Sequence, residues 1–323
     1  MMPTRRAVLG GGVALLGGAA GPGATAQLGV GDEVVRLWPG RPPGYRGAAI
    51  MRKAADQSKR PGHSDRWVTG IDEPAVVVRR PRRPNGSAAL LVPGGGYGFL
   101  AYDNEGVEQA AWLNARGVTA FILLYRLPGE GWEKRELVPL QDAQRAMRVI
   151  RQQAARFGVD PERVAVLGFS AGGHLAGSLA TRHGEAVYAP VDPADQLPAR
   201  PDLAGLVYPV INLDAAITHA GSRDNLLGPN ATREALRHAS VEQRVGADTP
   251  PLFLVHAVDD DVVPVANSLA LYDAALKAGR KGEMHLFDEG GHGFGVRLPK
   301  ELPGSAWPGL FHAYGARKGV FRG

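Results

Sequence analysis

From Ala75 onward the chain alternates short apolar runs with longer stretches whose apolar residues recur at helical spacing. Residues 75–79 and 88–92 read as strands, the second ending in Pro-Gly-Gly-Gly. Residues 104–116 have helical spacing and stop at Gly117. Residues 118–125 form a continuous apolar run, as a strand covered on both faces should. A long amphipathic helix follows over 139–157, then a buried strand over 164–169 and a helix over 171–182. Further strands are expected at 203–210, 252–258 and 283–287, and further helices at 266–278 and 307–314. This alternation predicts an α/β fold with a mostly parallel central sheet and helices on both faces. Two stretches, 185–201 and 212–247, fit the alternation poorly. They read as insertions over one edge of the sheet, where lids and substrate pockets are built. No internal repeat or low-complexity linker divides residues 27–323, which therefore read as one domain.

Composition narrows the picture. The 323 residues are 44% hydrophobic and 21% charged, enough for a core without disulfides or structural metal. There is no cysteine, which excludes a disulfide scaffold, a thiolate nucleophile and Cys-ligated zinc. The formal charge is +5, too small and too dispersed for a nucleic-acid partner or an anionic membrane. The Arg/Pro run at 79–84 reads as a solvated turn between strands.

Two of the positive charges, Arg5 and Arg6, open residues 1–26, which have the form of an export leader. The arginine pair precedes a short, glycine-rich apolar stretch and the small-residue site Ala24-Thr25-Ala26. That order matches a cleaved twin-arginine signal peptide. The apolar stretch is too short and too rich in glycine to anchor stably in a bilayer. The mature protein is expected to begin near Gln27 and to be periplasmic or secreted.

The chemistry centres on Gly168-Phe169-Ser170-Ala171-Gly172-Gly173, which joins a buried strand to its helix with no intervening loop. A serine there takes a sharp turn that lifts its hydroxyl above the sheet. Side chains two residues before and after would collide across that turn, and Gly168 and Gly172 supply the space. Earlier, Val92-Pro93-Gly94-Gly95-Gly96-Tyr97 follows a strand and lets backbone N–H groups approach a ligand. With Ala171, the N–H groups of Gly95 and Gly96 are the expected oxyanion donors.

A serine hydroxyl needs a base. Among nine histidines, His292 stands in Gly290-Gly291-His292-Gly293-Phe294-Gly295, after the last strand and after the serine in chain order. His174 lies one helical turn past Ser170 and reads as a packing or hydrogen-bonding residue. The acid should stand at a strand end between Ser170 and His292. Asp259, Asp260 and Asp261 all do, and the chemistry alone leaves the three open, with one free to cap the helix near Pro264.

These motifs resemble the bacterial acetyl-xylan-esterase-like and sugar-esterase-like α/β-hydrolases, related to the feruloyl-esterase-type hydrolase domain. The resemblance runs from Leu37-Trp38-Pro39-Gly40 to Trp307. Besides the glycine, serine and histidine motifs, it is carried by Glu105-Gly106, Tyr125-Arg126, the 139–146 segment and the spacing His256-x-x-x-Asp260-x-x-Val263-Pro264. It selects Asp260 as the acid. Pro93 stands where related lipases and esterases often carry His, as in the sugar-esterase-like branch. Tyr97 and Glu105 become candidates for the substrate pocket, with a buried Glu105–Arg126 ion pair as the other reading of Glu105.

The resemblance implies an α/β-hydrolase fold and hydrolysis of carboxylic esters, commonly acetyl groups on sugars. The expected protein is an exported serine carboxylesterase acting on a small-molecule or polysaccharide ester, with no metal and no cofactor. A prolyl-oligopeptidase-type serine peptidase shares the fold and is the alternative, as is a feruloyl or generic short-chain esterase.

Overall fold

The structure, a computed structural model, describes residues 33–322 apart from 48 and 215. The leader expected over residues 1–26 lies outside the described residues. The strands are Glu33–Arg36 (β1), Lys53–Asp56 (β2), Arg66–Thr69 (β3), Ala75–Arg79 (β4), Gly86–Val92 (β5), Leu100–Ala101 (β6), Thr119–Leu124 (β7), Val159–Phe169 (β8), Leu203–Val207 (β9), Leu252–Ala257 (β10) and Gly282–Phe287 (β11). The α-helices are Glu108–Asn114 (α1), Val138–Gln152 (α2), Ala154–Phe157 (α3), Ser170–Arg182 (α4), Ala220–Leu227 (α5), Arg233–Ala239 (α6), Ala266–Lys277 (α7) and Trp307–Arg317 (α8).

Eight strands form one sheet in the order β1-β4-β7-β5-β8-β9-β10-β11. Only β4 is reversed, pairing antiparallel with β1 and β7, while β7 through β11 pair in parallel. Parallel strands need crossover helices, which cover both faces and leave the strands wholly buried. Every residue of β7, β9 and β10 is buried accordingly. The α/β-hydrolase fold expected from the strand–helix alternation and the motifs is the fold observed.

Parallel pairing also gathers the site. The C-terminal ends of β5, β8, β10 and β11 lie along one edge, and the loops carrying Gly94–Gly96, Ser170, Asp260 and His292 leave from those ends.

Some elements differ from expectation. The helix expected over 104–116 begins as a π-helical turn, Asp103–Val107, and becomes α only at Glu108. The helix expected over 139–157 breaks at Gln153 into α2 and α3. The strand expected to reach residue 210 ends at Val207, because Tyr208 adopts φ 38° and turns the chain out of the sheet. A separate antiparallel sheet, β2-β3-β6, was not anticipated.

The two poorly fitting stretches take different places. The 212–247 stretch carries α5 and α6 beside the glycine loop, and Asn225 Nδ2 donates to the Gly96 carbonyl at 2.8 Å. The 185–201 stretch packs along α2, where the Arg145 guanidinium bonds Asp192 (2.9 Å) and Asp195 (3.0 Å). None of its residues lines the cavity above Ser170.

Candidate active site

Ser170 joins β8 to α4 with φ 53°, a left-handed conformation that costs an L-residue energy and persists only where its surroundings hold it. Packing supplies that hold. A Cβ on Gly172 would stand 2.1 Å from the Val92 carbonyl oxygen, and one on Gly168 would stand 2.3 Å from the Gly172 carbonyl oxygen. Strand β5 therefore presses directly on the turn. The Ser170 carbonyl accepts from Val210 N–H at 3.1 Å.

His292 Nε2 lies 2.9 Å from Ser170 Oγ, and His292 Nδ1 lies 2.7 Å from Asp260 Oδ2. A carboxylate only accepts, so Nδ1 carries the proton and Nε2 is free to accept from the serine hydroxyl. Asp260 Oδ1 accepts from the N–H groups of Val262 (2.9 Å) and Val263 (2.8 Å). A second histidine, the fully buried His256, stands with Nε2 3.2 Å from Asp260 Oδ2 and also donates to the Val263 carbonyl at 2.9 Å. Burial works against the Asp260 charge. Hydrogen bonds from His256, His292 and the Val263 N–H outweigh it and hold the pKa well below the usual carboxylate range.

The other two aspartates face elsewhere. Asp259 accepts from Gly291 N–H (2.8 Å) and Gly290 N–H (3.2 Å), pinning the loop that carries His292. Asp261 is exposed. No side chain caps α7, contrary to the role left open for one of them.

The glycine loop is held from four sides. Gly94 N–H donates to Glu105 Oε2 at 2.6 Å, Ala101 N–H to the Gly94 carbonyl at 3.1 Å, and Gly98 N–H to the Gly95 carbonyl at 2.9 Å. Asn225 holds Gly96 as described. Among the described residues no backbone carbonyl takes the N–H of Gly95 or Gly96. Both glycines line one cavity of about 560 Å³ with Ser170, Glu105, His219 and His292. Ala171 lies in the first turn of α4, where N–H groups have no partner within the helix.

Glu105 lines that cavity, but not as half of an ion pair with Arg126. Its Oε1 accepts from the Tyr208 hydroxyl at 3.0 Å, and its Oε2 takes Gly94 N–H. Arg126 is wholly buried against Asp142 instead, with contacts of 2.8 and 2.9 Å. The carboxylate on α2 lies closer to Arg126 along the fold and fills its fork. Burial raises the Glu105 pKa, opposed by the two donors it accepts from.

Tyr97 is a correction. It does not line the Ser170 cavity, and its hydroxyl meets His174 Nδ1 at 2.7 Å. His174 Nε2 donates to the Ala239 carbonyl at 2.8 Å, so Nδ1 accepts the tyrosine proton. This is the hydrogen-bonding role expected of His174. Tyr97 and His174 line a second cavity of about 400 Å³ between α4, α6 and the start of α2. Burial lowers the His174 pKa to about 4, so the ring is neutral.

Several residues of the Ser170 cavity were missed by motif reading, among them His219, Trp67 and Phe99. His219 lies in the 212–247 stretch and caps α5, with Nδ1 accepting from Ser222 N–H at 3.2 Å. Its pKa is lowered by burial and by the facing His292. Trp67 comes from β3, and Phe99 follows the glycine loop. The signal within reach was the last: an aromatic three residues past Gly96. Chemically, a serine with a base, an oriented acid and free backbone donors suits nucleophilic acyl transfer.

The BD-FAE family model matches residues 88–275. An acetylxylan esterase of Xylanibacter ruminicola is 33% identical over 224 residues, covering 68% of this chain and 43% of that protein. Endo-1,4-beta-xylanase B of Butyrivibrio fibrisolvens is 36% identical over 220 residues, covering 68% of this chain and 34% of that protein. The chain thus spans less than half the length of these curated relatives. The solved structure of an acetyl ester-xyloside bifunctional hydrolase from Caldicellulosiruptor lactoaceticus superposes with a TM-score of 0.71 at 32% identity, over 90% of this chain and 97% of that one.

Proposed function

The chain belongs to the BD-FAE family of α/β hydrolases, and from that premise we propose that it is an exported serine carboxylesterase that removes acetyl groups from acetylated sugars or xylan-type polysaccharide. The observation that carries the reading is the hydrogen-bonded row Ser170–His292–Asp260 beside the free N–H groups of Gly95 and Gly96. The acetyl and xylan part draws support from the relatives' names, an acetylxylan esterase and an acetyl ester-xyloside hydrolase among them. Export rests on the arginine pair and the Ala24-Thr25-Ala26 site.

In this reading His292 Nε2 takes the hydroxyl proton as Ser170 Oγ attacks the ester carbonyl. Asp260 holds the tautomer and stabilises the imidazolium. The oxyanion receives hydrogen bonds from Gly95, Gly96 and Ala171 N–H. His292 then protonates the departing sugar oxygen, which leaves an acetyl-serine. Water, deprotonated by the same imidazole, attacks that ester and releases acetate.

Acetate release from acetylated xylan and acetylated monosaccharides tests the substrate. Ser170→Ala should keep the fold and lose activity by about 10⁴-fold or more, and a fluorophosphonate probe should label Ser170 in the unaltered protein. Full activity in Ser170→Ala would sink the mechanism. N-terminal sequencing of the protein from cell fractions tests export, with a start near Gln27 outside the cytoplasm as the expected result.

A further inference from the structure

We propose that Trp67 and Phe99 form a platform on which the sugar ring of the ester's alcohol half lies while its acetyl group is presented to Ser170. This rests on the sugar-ester reading above and adds where the sugar sits.

The two rings are stacked, with centroids 3.8 Å apart and planes 12° from parallel. Phe99 is packed on the glycine loop: a Cβ on Gly95 would stand 2.7 Å from Phe99 Cδ2. The stack therefore runs outward from the loop that supplies the oxyanion donors. Trp67 is held on a paired strand, in register with Ala55 on one side and Ala101 on the other. Both rings line the Ser170 cavity, yet Trp67 remains 40% exposed. A large aromatic left partly open at the mouth of a cleft, ringed by polar groups, marks a ligand surface.

The surrounding chemistry suits a sugar ring. A pyranose has an apolar C–H face and a fringe of hydroxyls. The stack offers a flat apolar face, and the lining adds His219 and Asn225 for hydroxyls, beside Asp65 and Arg297, which pair with each other at 3.3 Å. The cavity of about 560 Å³ also has far more room than an acetyl group fills.

The test compares a monoacetylated methyl xyloside with ethyl acetate, whose alcohol has no ring. In Trp67→Ala the ratio of kcat/KM, xyloside ester over ethyl acetate, should fall about tenfold, with the change in KM for the xyloside. Trp67→Tyr should keep most of the ratio. A second measurement uses Ser170→Ala protein titrated with the same ester: its tryptophan emission should change, and that change should vanish when Trp67→Tyr is added. An unaltered ratio in Trp67→Ala, or emission that changes equally in both proteins, overturns the platform and leaves the esterase reading standing. An unaltered enzyme that cleaves ethyl acetate but no acetylated sugar overturns both the sugar reading and the platform.

Discussion

The Tyr208 hydroxyl donates to Glu105 Oε1 at 3.0 Å while accepting from Gly295 N–H at 3.1 Å. That contact joins the loop carrying His292 to the glycine loop facing it, since Glu105 Oε2 holds Gly94 N–H. The Tyr208 ring also packs against the His292 ring, with centroids 4.9 Å apart. The loop carrying His292 and the glycine loop thus leave from separate strands but share one buried carboxylate as a strut.

Glu105→Gln tests the strut. An amide satisfies only one of two donors, so either Gly94 N–H or the Tyr208 hydroxyl loses its acceptor. The glycine loop should shift, and kcat for ester hydrolysis should fall roughly tenfold to a hundredfold with KM nearly unchanged, because the loss falls on the transition state. Steady-state acetate release measures both constants. A change confined to KM would assign Glu105 to substrate binding instead.

The three adjacent aspartates should separate in kinetics as they do in space. Asp260→Asn removes the acceptor that fixes the His292 tautomer and should cost about 10⁴-fold in kcat. Asp259→Asn weakens the anchoring of Gly290 and Gly291 and should cost on the order of tenfold. The exposed Asp261→Asn should stay within about twofold. Equal losses at Asp259 and Asp260 would argue against this assignment of the acid.

That separation shows what was legible in the sequence. The elbow and the alternating fold were readable because both rest on local rules: a sharp turn excludes side chains at 168 and 172, and doubly covered strands are apolar without interruption. The choice among Asp259, Asp260 and Asp261 was not local. It depends on backbone N–H groups of Val262 and Val263 and on the reach of His292, and only the family spacing pointed to it beforehand. Tyr97 shows a different failure. Its place in the glycine motif says nothing about the side it faces, and its hydroxyl goes to the buried His174. The Glu105–Arg126 pairing failed because Asp142, on the amphipathic α2, reached the guanidinium instead. Trp67 was hidden because β2 and β3 are four residues each with mostly exposed or half-buried positions, too short to show a period.

Gly172→Ala probes the close packing under Ser170. Its Cβ would meet backbone oxygens of Val92 (2.1 Å) and Pro93 (2.5 Å), which belong to a central strand and its end and have little room to yield. The variant should lose on the order of 2–4 kcal/mol of stability and nearly all activity. Gly184→Ala is the control: nothing lies within 4 Å of its added Cβ, so its stability should move by less than about 0.5 kcal/mol. Thermal unfolding of both variants measures this, and similar midpoints would mean that β5 yields more than its position implies.

His174 makes a signed prediction about pH. Its ring is buried, and that burial lowers its pKa from 6.5 to about 4. The unfolded chain therefore binds a proton between these values that the folded chain refuses, and stability must fall as pH drops through that window. The contribution is full above about 6.5, is lost progressively on acidification and is gone below about 4. The lost stability is of order 3 kcal/mol. Glu105 has the opposite sign: its raised pKa means stability is gained, not lost, as pH falls. His174→Gln keeps an acceptor for Tyr97 and a donor for Ala239 but cannot titrate. Urea unfolding between pH 7.5 and 4 should show the unaltered protein losing more stability than His174→Gln, by that order. Parallel curves would mean that the buried Tyr97–His174–Ala239 row opens to solvent before the ring takes up its proton.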